Sequence, residues 1–163
     1  MSGGFKCLMC GWCCKHLTEG SWSGLSLFPW ETHLFTREKV LPRLGYGASP
    51  DEDGFKVVLY SYVDAVCEKL RDNRCTIHET RPLVCRSYPF RYMRKGDAMA
   101  FEAAPECRAI DPEAAPWSSR RFPELYAAEE IGMQLELFYR RKEPKWVYDP
   151  VSGHWIPLQM RKA

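Results

Sequence analysis

The stretch "KCLMCGWCCKH", residues 6–16, concentrates four cysteines near the start of the chain with the spacing C-x2-C-x2-C-C. These are Cys7, Cys10, Cys13 and Cys14. Gly11 lies inside this run and gives the backbone the freedom to wrap around a bound ion. Three of the four cysteines would make a familiar metal-binding turn, which raises the question of why a fourth lies directly beside the third.

Four further cysteines lie downstream, so the chain contains eight cysteines in 163 residues. They are Cys67, Cys75, Cys85 and Cys107. The N-terminus has no charged-then-apolar signal pattern, so we expect an intracellular, cytoplasmic protein. Thiols persist in a reducing cytosol, where clustered cysteines indicate metal or redox chemistry rather than a disulfide framework. The sequence therefore predicts that all eight cysteines are metal ligands.

The composition predicts one globular domain spanning residues 1–163. Hydrophobic residues make up 45% of the chain and aromatic residues 13%, which is typical of a folded protein. The formal net charge of +2 is too small to indicate nucleic acid as a partner. The sequence contains no run of about 18 apolar residues, so we expect no membrane-spanning helix.

The hydrophobic pattern predicts an α+β fold with short hairpins. Residues 55–63 are β-branched and aromatic, which indicates a strand. Residues 66–79 predict two short strands around a turn, which would bring Cys67 and Cys75 together. Residues 92–101 predict a second hairpin that turns at 95–97. Residues 17–28 and 44–54 are rich in turn-forming residues and are predicted to be loops.

Three helices are expected. Pro29 can begin one of them, and Thr80 is predicted to cap a short second helix that has Pro82 in its first turn. The third is a long C-terminal helix over 123–142, with Glu124 at its start and basic residues at its end, a charge order that suits the helix dipole. Its core face is predicted to contain Leu125, Ala128, Ile131, Leu135 and Phe138. A final hairpin is predicted over 145–158. Residues 1–107 would form the cysteine core, and 108–163 the helix and tail.

The downstream segment reads C-x7-C-T-I-H-E-T-R-P-L-V-C-R-S-Y-P-F. Together with the N-terminal run, it resembles the YkgJ-type CxxCxxCC cysteine-cluster family of zinc- or iron-chelating proteins, which includes the flagellin lysine N-methylase. The matching residues are Cys7, Cys10, Gly11, Cys13, Cys14, Cys67, Cys75, Ile77, Arg81, Pro82, Cys85, Arg86, Tyr88, Pro89 and Phe90. His78 stands where tyrosine is usual. The resemblance covers residues 5–107 and implies a metal or iron–sulfur protein.

The resemblance does not fix a reaction, and whether the chain is an enzyme stays open at this point. Methylase activity belongs to one branch of the family. This chain has no Gly-rich strand–turn–helix loop of the kind that a Rossmann-like methyltransferase uses for its adenosyl cofactor, which weakens the transfer of that activity.

The cysteine spacing favours iron–sulfur over zinc and leaves both open. Structural zinc sites usually pair two short C-x2–4-C turns around one ion, whereas iron–sulfur clusters often take three ligands from a tight run and one from afar. Cys7, Cys10 and Cys13 have the spacing of a bacterial ferredoxin run, although Cys14 interrupts the ferredoxin pattern. We expect one or two clusters of the 4Fe-4S type, with zinc as the alternative.

Basic residues surround Cys85, and two of them are candidate cofactor-binding residues. Arg81 and Arg86 would stabilise the negative charge of a four-thiolate cluster. Alternatively, the same arginines brace the fold by bonding to backbone carbonyls or carboxylates.

Three functions follow from this set of residues. The first is an iron–sulfur protein that transfers electrons or serves as an accessory or activation factor for a partner metalloenzyme. The second is a zinc-stabilised protein-interaction module, and the third is a cluster-dependent enzyme such as a protein lysine N-methylase.

Because neighbouring side chains diverge, Cys13 and Cys14 are predicted to face two different sites. The alternative is that Cys14 is a spare redox-active thiol.

Overall fold

The structure, a computed structural model, describes residues 5–19, 24–95, 98–111 and 122–159. The chain divides into two compact units, Met1–His16 with Val66–Glu136 and Leu17–Ala65 with Leu137–Ala163. We call the first the cysteine unit, because all eight cysteines lie in it, and the second the sheet unit. The assignment of residues 1–163 to a single domain stays a prediction.

Helices and antiparallel strands are both present, which confirms the α+β fold with one long C-terminal helix. The helices are α1 (Trp12–Lys15), α2 (Leu83–Ser87) and α3 (Glu124–Tyr139). The strands are β1 (Leu25–Leu27), β2 (Val40–Tyr46), β3 (Lys56–Tyr62), β4 (Leu70–Arg71), β5 (Arg74–Cys75), β6 (Phe90–Lys95), β7 (Ala98–Ala103), β8 (Lys145–Asp149) and β9 (His154–Pro157). Short 3-10 helices span Pro29–Leu34, Arg37–Lys39 and His78–Thr80.

The sheet unit is built on a five-stranded antiparallel sheet in the order β1-β3-β2-β8-β9. Strand β3 confirms the strand predicted for residues 55–63, and β8 and β9 confirm the C-terminal hairpin. Tyr62 is fully buried on β3, and its ring lies 4.9 Å from that of Phe35. Leu27 of β1 is also fully buried, so this edge of the sheet holds a core of large side chains.

Two loop predictions in the sheet unit were wrong in part. Strand β1 forms within the predicted loop 17–28, because it pairs with the strongly β-forming β3. Residues 20–23 of that predicted loop lie outside the described residues. The predicted loop 44–54 begins later, because β2 continues to Tyr46. Strand β2 contains Pro42, and its pairing with β3 shifts register between Pro42 and Leu44, the kind of irregularity where a strand tolerates proline.

The cysteine unit contains two hairpins, β4–β5 and β6–β7, and both were predicted. The central residues of the first turn, Asp72 and Asn73, have φ of 47° and 60°, which is the left-handed pair required by a tight type I′ turn. The turn of the second hairpin at Gly96 and Asp97 lies outside the described residues.

The predicted cap of the second helix was wrong. Helix α2 begins at Leu83 with Pro82 at its N-cap position, and Thr80 instead ends the 3-10 helix His78–Thr80. Arg81 has the extended conformation that a following proline imposes, with φ −59° and ψ 151°, so the chain cannot enter an α-helix before Pro82. Pro29 does begin a helix, although it is a 3-10 helix.

Helix α3 packs its apolar face on the β6–β7 hairpin within the cysteine unit. Phe90, Ala103, Phe122, Leu125 and Ala128 form this core. The rings of Phe90 and Phe122 lie 5.2 Å apart at 60°, an edge-to-face contact that adds about 0.5–1.5 kcal/mol to the gain from burial. Of the predicted core positions, Leu125, Ala128 and Phe138 are buried, and Ile131 and Leu135 are half-buried. None of the described helices has the length and apolar character needed to cross a bilayer.

Candidate metal centre

The first two cysteines lie on a tight turn with a defined shape. The backbone N–H of Met9 donates to Cys7 Sγ at 3.3 Å, and Met9 has a left-handed φ of 50°. Gly11, directly after Cys10, has φ 72°, a conformation that strains residues with a Cβ. Cys7 and Cys10 are both exposed, so this turn, residues 7–11, presents two thiols to solvent.

The next two cysteines lie on the single helical turn α1. The Cys14 N–H donates to the carbonyl of Gly11 at 3.1 Å, which closes the turn. The thiol of Cys14 is in hydrogen-bonding contact with the sulfurs of Cys13 and Cys67. Three sulfurs from two distant parts of the chain therefore meet, and the structure brings Cys13 and Cys14 into contact with each other. Their assignment to two different metal sites stays a prediction.

The N-terminal cysteine run is tied to the β4–β5 hairpin and to the residue Cys67 before it by two hydrogen bonds and one close approach. The N–H of Cys67 donates to the carbonyl of Cys14 at 2.7 Å. Lys15 Nζ donates to Asn73 Oδ1 at 2.5 Å. A Cβ placed on Gly11 would lie 3.1 Å from the same Asn73 Oδ1, so the hairpin tip approaches the run closely at this glycine. The turn residue Asn73 thus positions the run relative to Cys67 and Cys75.

Each remaining cysteine is held by a different local element. Cys75 ends β5 opposite Leu70, and Cys85 is the central residue of α2. Cys107 follows β7 in a turn, where its N–H donates to the carbonyl of Ala104 at 3.0 Å. The Ala104 N–H in turn donates to the carbonyl of Pro89, which ties the Cys107 turn to the segment after α2.

Neighbouring thiols in the cysteine unit shift one another's pKa. Contact with Cys14 lowers the pKa of Cys13 and of Cys67 to about 7, and contact with Cys13 raises the pKa of Cys14 far above its usual range. Burial raises the pKa of three further thiols, with the negative charge of Cys13 raising each of them too. These are Cys75, Cys85 and Cys107. The charge of Cys67 also raises the pKa of Cys75 and Cys85, and more strongly than that of Cys13 does, so Cys13 and Cys67 both lie near the downstream thiols.

Arg81 is placed where it can serve both of its predicted roles. Its Nη1 donates to the carbonyl of His78 at 2.5 Å, which is the bracing contact to the backbone. Its positive charge also acts to lower the pKa of Cys75 and Cys85, against the larger effect of burial. Arg86, the other candidate cofactor-binding residue, is exposed on α2. The cofactor-binding roles of both arginines stay predictions.

Tyr88 contributes a contact that the sequence analysis did not assign. Its hydroxyl donates a hydrogen bond to the sulfur of Cys107, which acts to lower the pKa of that thiol. Burial raises the pKa of Tyr88 itself, so the hydroxyl keeps its proton for this bond. The signal available in the sequence was the place of Tyr88 between Arg86 and Pro89 in the quoted motif.

The donor set fits a thiophilic metal, although the thiols do not converge on one point. In the part of the chain that the structure describes, no three His, Cys, Asp or Glu side chains form a group arranged to hold an ion. Protonated thiols hydrogen-bond to one another, as Cys14 does, whereas a metal binds thiolates and releases their protons. Thiolate is the ligand that zinc and iron–sulfur clusters take, so the chemistry of the set fits either.

The fold and these thiols define a class of protein, a small cysteine-rich α+β protein. The sequence pattern of the CxxCxxCC family, described as a "putative zinc- or iron-chelating domain", matches residues 6–113. The chain belongs to this family, which confirms the resemblance noted from its motifs. Neither the comparison with curated proteins nor the comparison with solved structures finds a match.

Proposed function

We propose that this chain holds one or two iron–sulfur clusters, of the 4Fe-4S type, on its eight cysteines. In this role it passes electrons to a partner protein, or helps to assemble or activate a partner metalloenzyme. The observation that carries the proposal is that thiols from distant parts of the chain lie near Cys13 and Cys67. Five thiols from four separate segments interact with Cys13. In each case either Cys13 shifts the pKa of the thiol or the thiol shifts the pKa of Cys13. The five are Cys14, Cys67, Cys75, Cys85 and Cys107.

The surroundings of the sulfurs support a cluster that carries negative charge. Segments 5–16 and 66–95 together contain ten lysines and arginines against three aspartates and glutamates. Hydrogen bonds to cluster sulfurs and nearby positive charge stabilise the reduced form and raise the reduction potential. Two donors of this kind are in place, the Met9 N–H on Cys7 and the Tyr88 hydroxyl on Cys107.

A partner protein would meet the site at the turn 7–11. Its two thiols are exposed, and so are the apolar side chains between them, Leu8 at 61% and Met9 at 57%. Electron transfer needs a cofactor near the surface, where a second protein can approach it, and weak redox complexes use small contact areas. The turn supplies an apolar contact directly beside two ligand sulfurs.

The second candidate function is a zinc-stabilised protein-interaction module. The observation that favours it is the same turn, because a C-x2-C pair on a tight turn is a common half of a tetrahedral zinc site. Under this function the metal is structural, and its removal unfolds the cysteine unit.

Anaerobic purification of the full chain, followed by metal and acid-labile sulfide analysis, tests the proposal. We expect a brown protein with iron and sulfide in equal amounts and a charge-transfer band in the visible spectrum. A colourless protein that contains zinc and no sulfide would overturn the iron–sulfur function in favour of the zinc module. The electron-transfer role further requires that dithionite bleach the visible band and that air or a mild oxidant restore it.

A further inference from the structure

Cys14 and Cys67 are joined twice, once through the backbone and once through their side chains. The Cys67 N–H donates to the Cys14 carbonyl at 2.7 Å, and the two thiols are in hydrogen-bonding contact. With standard bond lengths, an N···O separation of this size limits the two Cα atoms to at most about 6.6 Å apart. A disulfide needs Cα atoms between about 4.4 and 6.8 Å apart, so this pair meets the backbone requirement.

We propose that Cys14 and Cys67 form a redox-active dithiol whose disulfide closes the metal centre when no metal is bound. The predicted loss of metal binding rests on the proposed function. The disulfide itself rests on the backbone hydrogen bond between the two residues. Two other cysteine pairs could form a disulfide, namely the C-x2-C pair Cys7–Cys10 and the adjacent pair Cys13–Cys14. A disulfide between adjacent residues is strained, which argues against the pair Cys13–Cys14.

A hydroperoxide supplies the two oxidising equivalents. The Cys67 thiolate attacks one oxygen of hydrogen peroxide, an S–O bond forms as the O–O bond breaks, and the hydroxide that leaves takes up the thiol proton as water. The Cys14 sulfur then attacks the Cys67 sulfur of the sulfenic acid. An S–S bond forms, the S–O bond breaks, and the hydroxyl leaves as a second water with the Cys14 proton. The second step needs no diffusion, because the backbone hydrogen bond already holds the two residues side by side.

The disulfide would remove two ligands at once and link the N-terminal run to the downstream cysteines. A sulfur in a disulfide is no longer a thiolate and cannot bind metal in the same way. Bound metal would protect both thiols, so the disulfide forms only in the metal-free chain. A dithiol or phosphine reductant would restore both ligands.

Peptide mapping of the metal-free full chain after treatment with hydrogen peroxide tests the pairing. Remaining thiols are alkylated, and trypsin then releases residues 7–15 and 57–69 as separate peptides unless Cys67 joins them. We expect the joined pair of peptides in the wild type and in the matched control Cys13→Ser, and its absence in Cys14→Ser. A bond within 7–15, or a bond to Cys13, overturns the proposal, and fragmentation of the wild-type peptides decides this without any variant.

Metal uptake tests the consequence. We expect oxidised protein to lose uptake in proportion to its cross-linked fraction, and a phosphine reductant to restore it. Unchanged uptake by fully cross-linked protein overturns the closing of the site. If the reduced chain takes up no metal either, the proposed function fails together with the closing of the site, while the peptide map still decides the disulfide.

Discussion

The backbone N–H of Cys67 donates a hydrogen bond to the carbonyl of Cys14, and this 2.7 Å contact joins the two parts of the cysteine sequence. It places the run 7–14 beside the hairpin that carries Cys75. The side-chain contact between Lys15 and Asn73 holds the same two segments together from the hairpin tip. A metal bound by the upstream cysteines would therefore be coupled to the fold of the downstream segment.

Cys14→Ser should separate the two explanations of the double cysteine. We expect the variant to lose about half of the bound metal, because a serine hydroxyl is a poor replacement for a thiolate ligand at one of two sites. The measurement is iron or zinc per chain after anaerobic purification, with Cys13→Ser as the matched control. A Cys14→Ser protein with full metal content would identify Cys14 as a spare thiol beside a single site.

Gly11→Ala should lower both stability and metal content. The left-handed φ of 72° costs about 1–2 kcal/mol for a residue with a Cβ, and the added methyl would lie 3.1 Å from Asn73 Oδ1. The free energy of unfolding from urea titration and the metal content of the purified variant check this.

Gly54→Ala is the matched control for Gly11. Gly54 has φ 94° and open space around the position of a Cβ, so its replacement brings the backbone strain without the contact to Asn73. We expect a similar loss of stability and unchanged metal content. Equal metal loss in both variants would show that general destabilisation, and not the packing of the run on the hairpin, limits binding.

Tyr88→Phe should weaken the site without disturbing the fold. Loss of the hydroxyl removes the hydrogen bond to Cys107, and we expect metal affinity to fall about fivefold, the equivalent of roughly 1 kcal/mol. In the metal-free chain the pKa of Cys107 should rise further, so its alkylation at neutral pH should slow.

Tyr92→Phe provides the comparison for Tyr88. Tyr92 donates to Glu136 Oε1 at 2.6 Å, so its replacement also removes one hydroxyl hydrogen bond within the cysteine unit. Metal affinity and Cys107 alkylation should stay at wild-type values in this variant. The assignment of Tyr88 fails if both variants change affinity alike.

The sequence predicted those features that depend on neighbouring residues. The hairpin at 66–79 and helix α3 have local signals, which are a turn-forming Asp72–Asn73 pair and an apolar repeat with three- and four-residue steps. Strand β2 escaped prediction because Pro42 argues against a central strand, and only its pairing partners stabilise it.

The arrangement within the metal centre could not be predicted in the same way. The sequence spacing gives the separation of the cysteines along the chain. Their proximity in space depends on long-range contacts, such as the hydrogen bond between Cys67 and Cys14. The bond from Tyr88 to Cys107 depends on the path of the chain through β6 and β7, which no local pattern encodes. That all eight cysteines are metal ligands stays a prediction, and the structure now defines the residues that neighbour them.

Substitutions of Arg81 should separate its charge from its bracing contact. Arg81→Gln removes the charge near Cys75 and Cys85, and we expect metal affinity to fall about tenfold. This is the lower end of the loss that follows when a residue supporting a metal ligand is replaced. Arg81→Lys keeps the charge and loses the forked geometry, so it should retain most of the affinity. Chelator competition measures both.

Arg86→Gln is the surface control for Arg81. Arg86 is exposed, and exposed charges contribute about 1 kcal/mol or less, so we expect a small change in affinity. If Arg81→Lys weakens binding as much as Arg81→Gln does, the contact with the His78 carbonyl, and not the charge, is what the site requires.

Metal affinity should rise with pH, because the metal-free chain binds protons that the loaded chain has released. Cys75, Cys85 and Cys107 have a pKa raised by burial, so they keep their protons at pH values where Cys13 and Cys67, with a pKa of about 7, are already largely ionised. Lowering the pH therefore favours the metal-free form throughout. Chelator competition between about pH 6 and 9 should give a steep rise below pH 7 and a shallower rise above it. An affinity that is constant above pH 7 would exclude these three half-buried thiols as ligands. If Cys75 is a ligand, Cys75→Ser should reduce by one the number of protons that metal binding releases above pH 7.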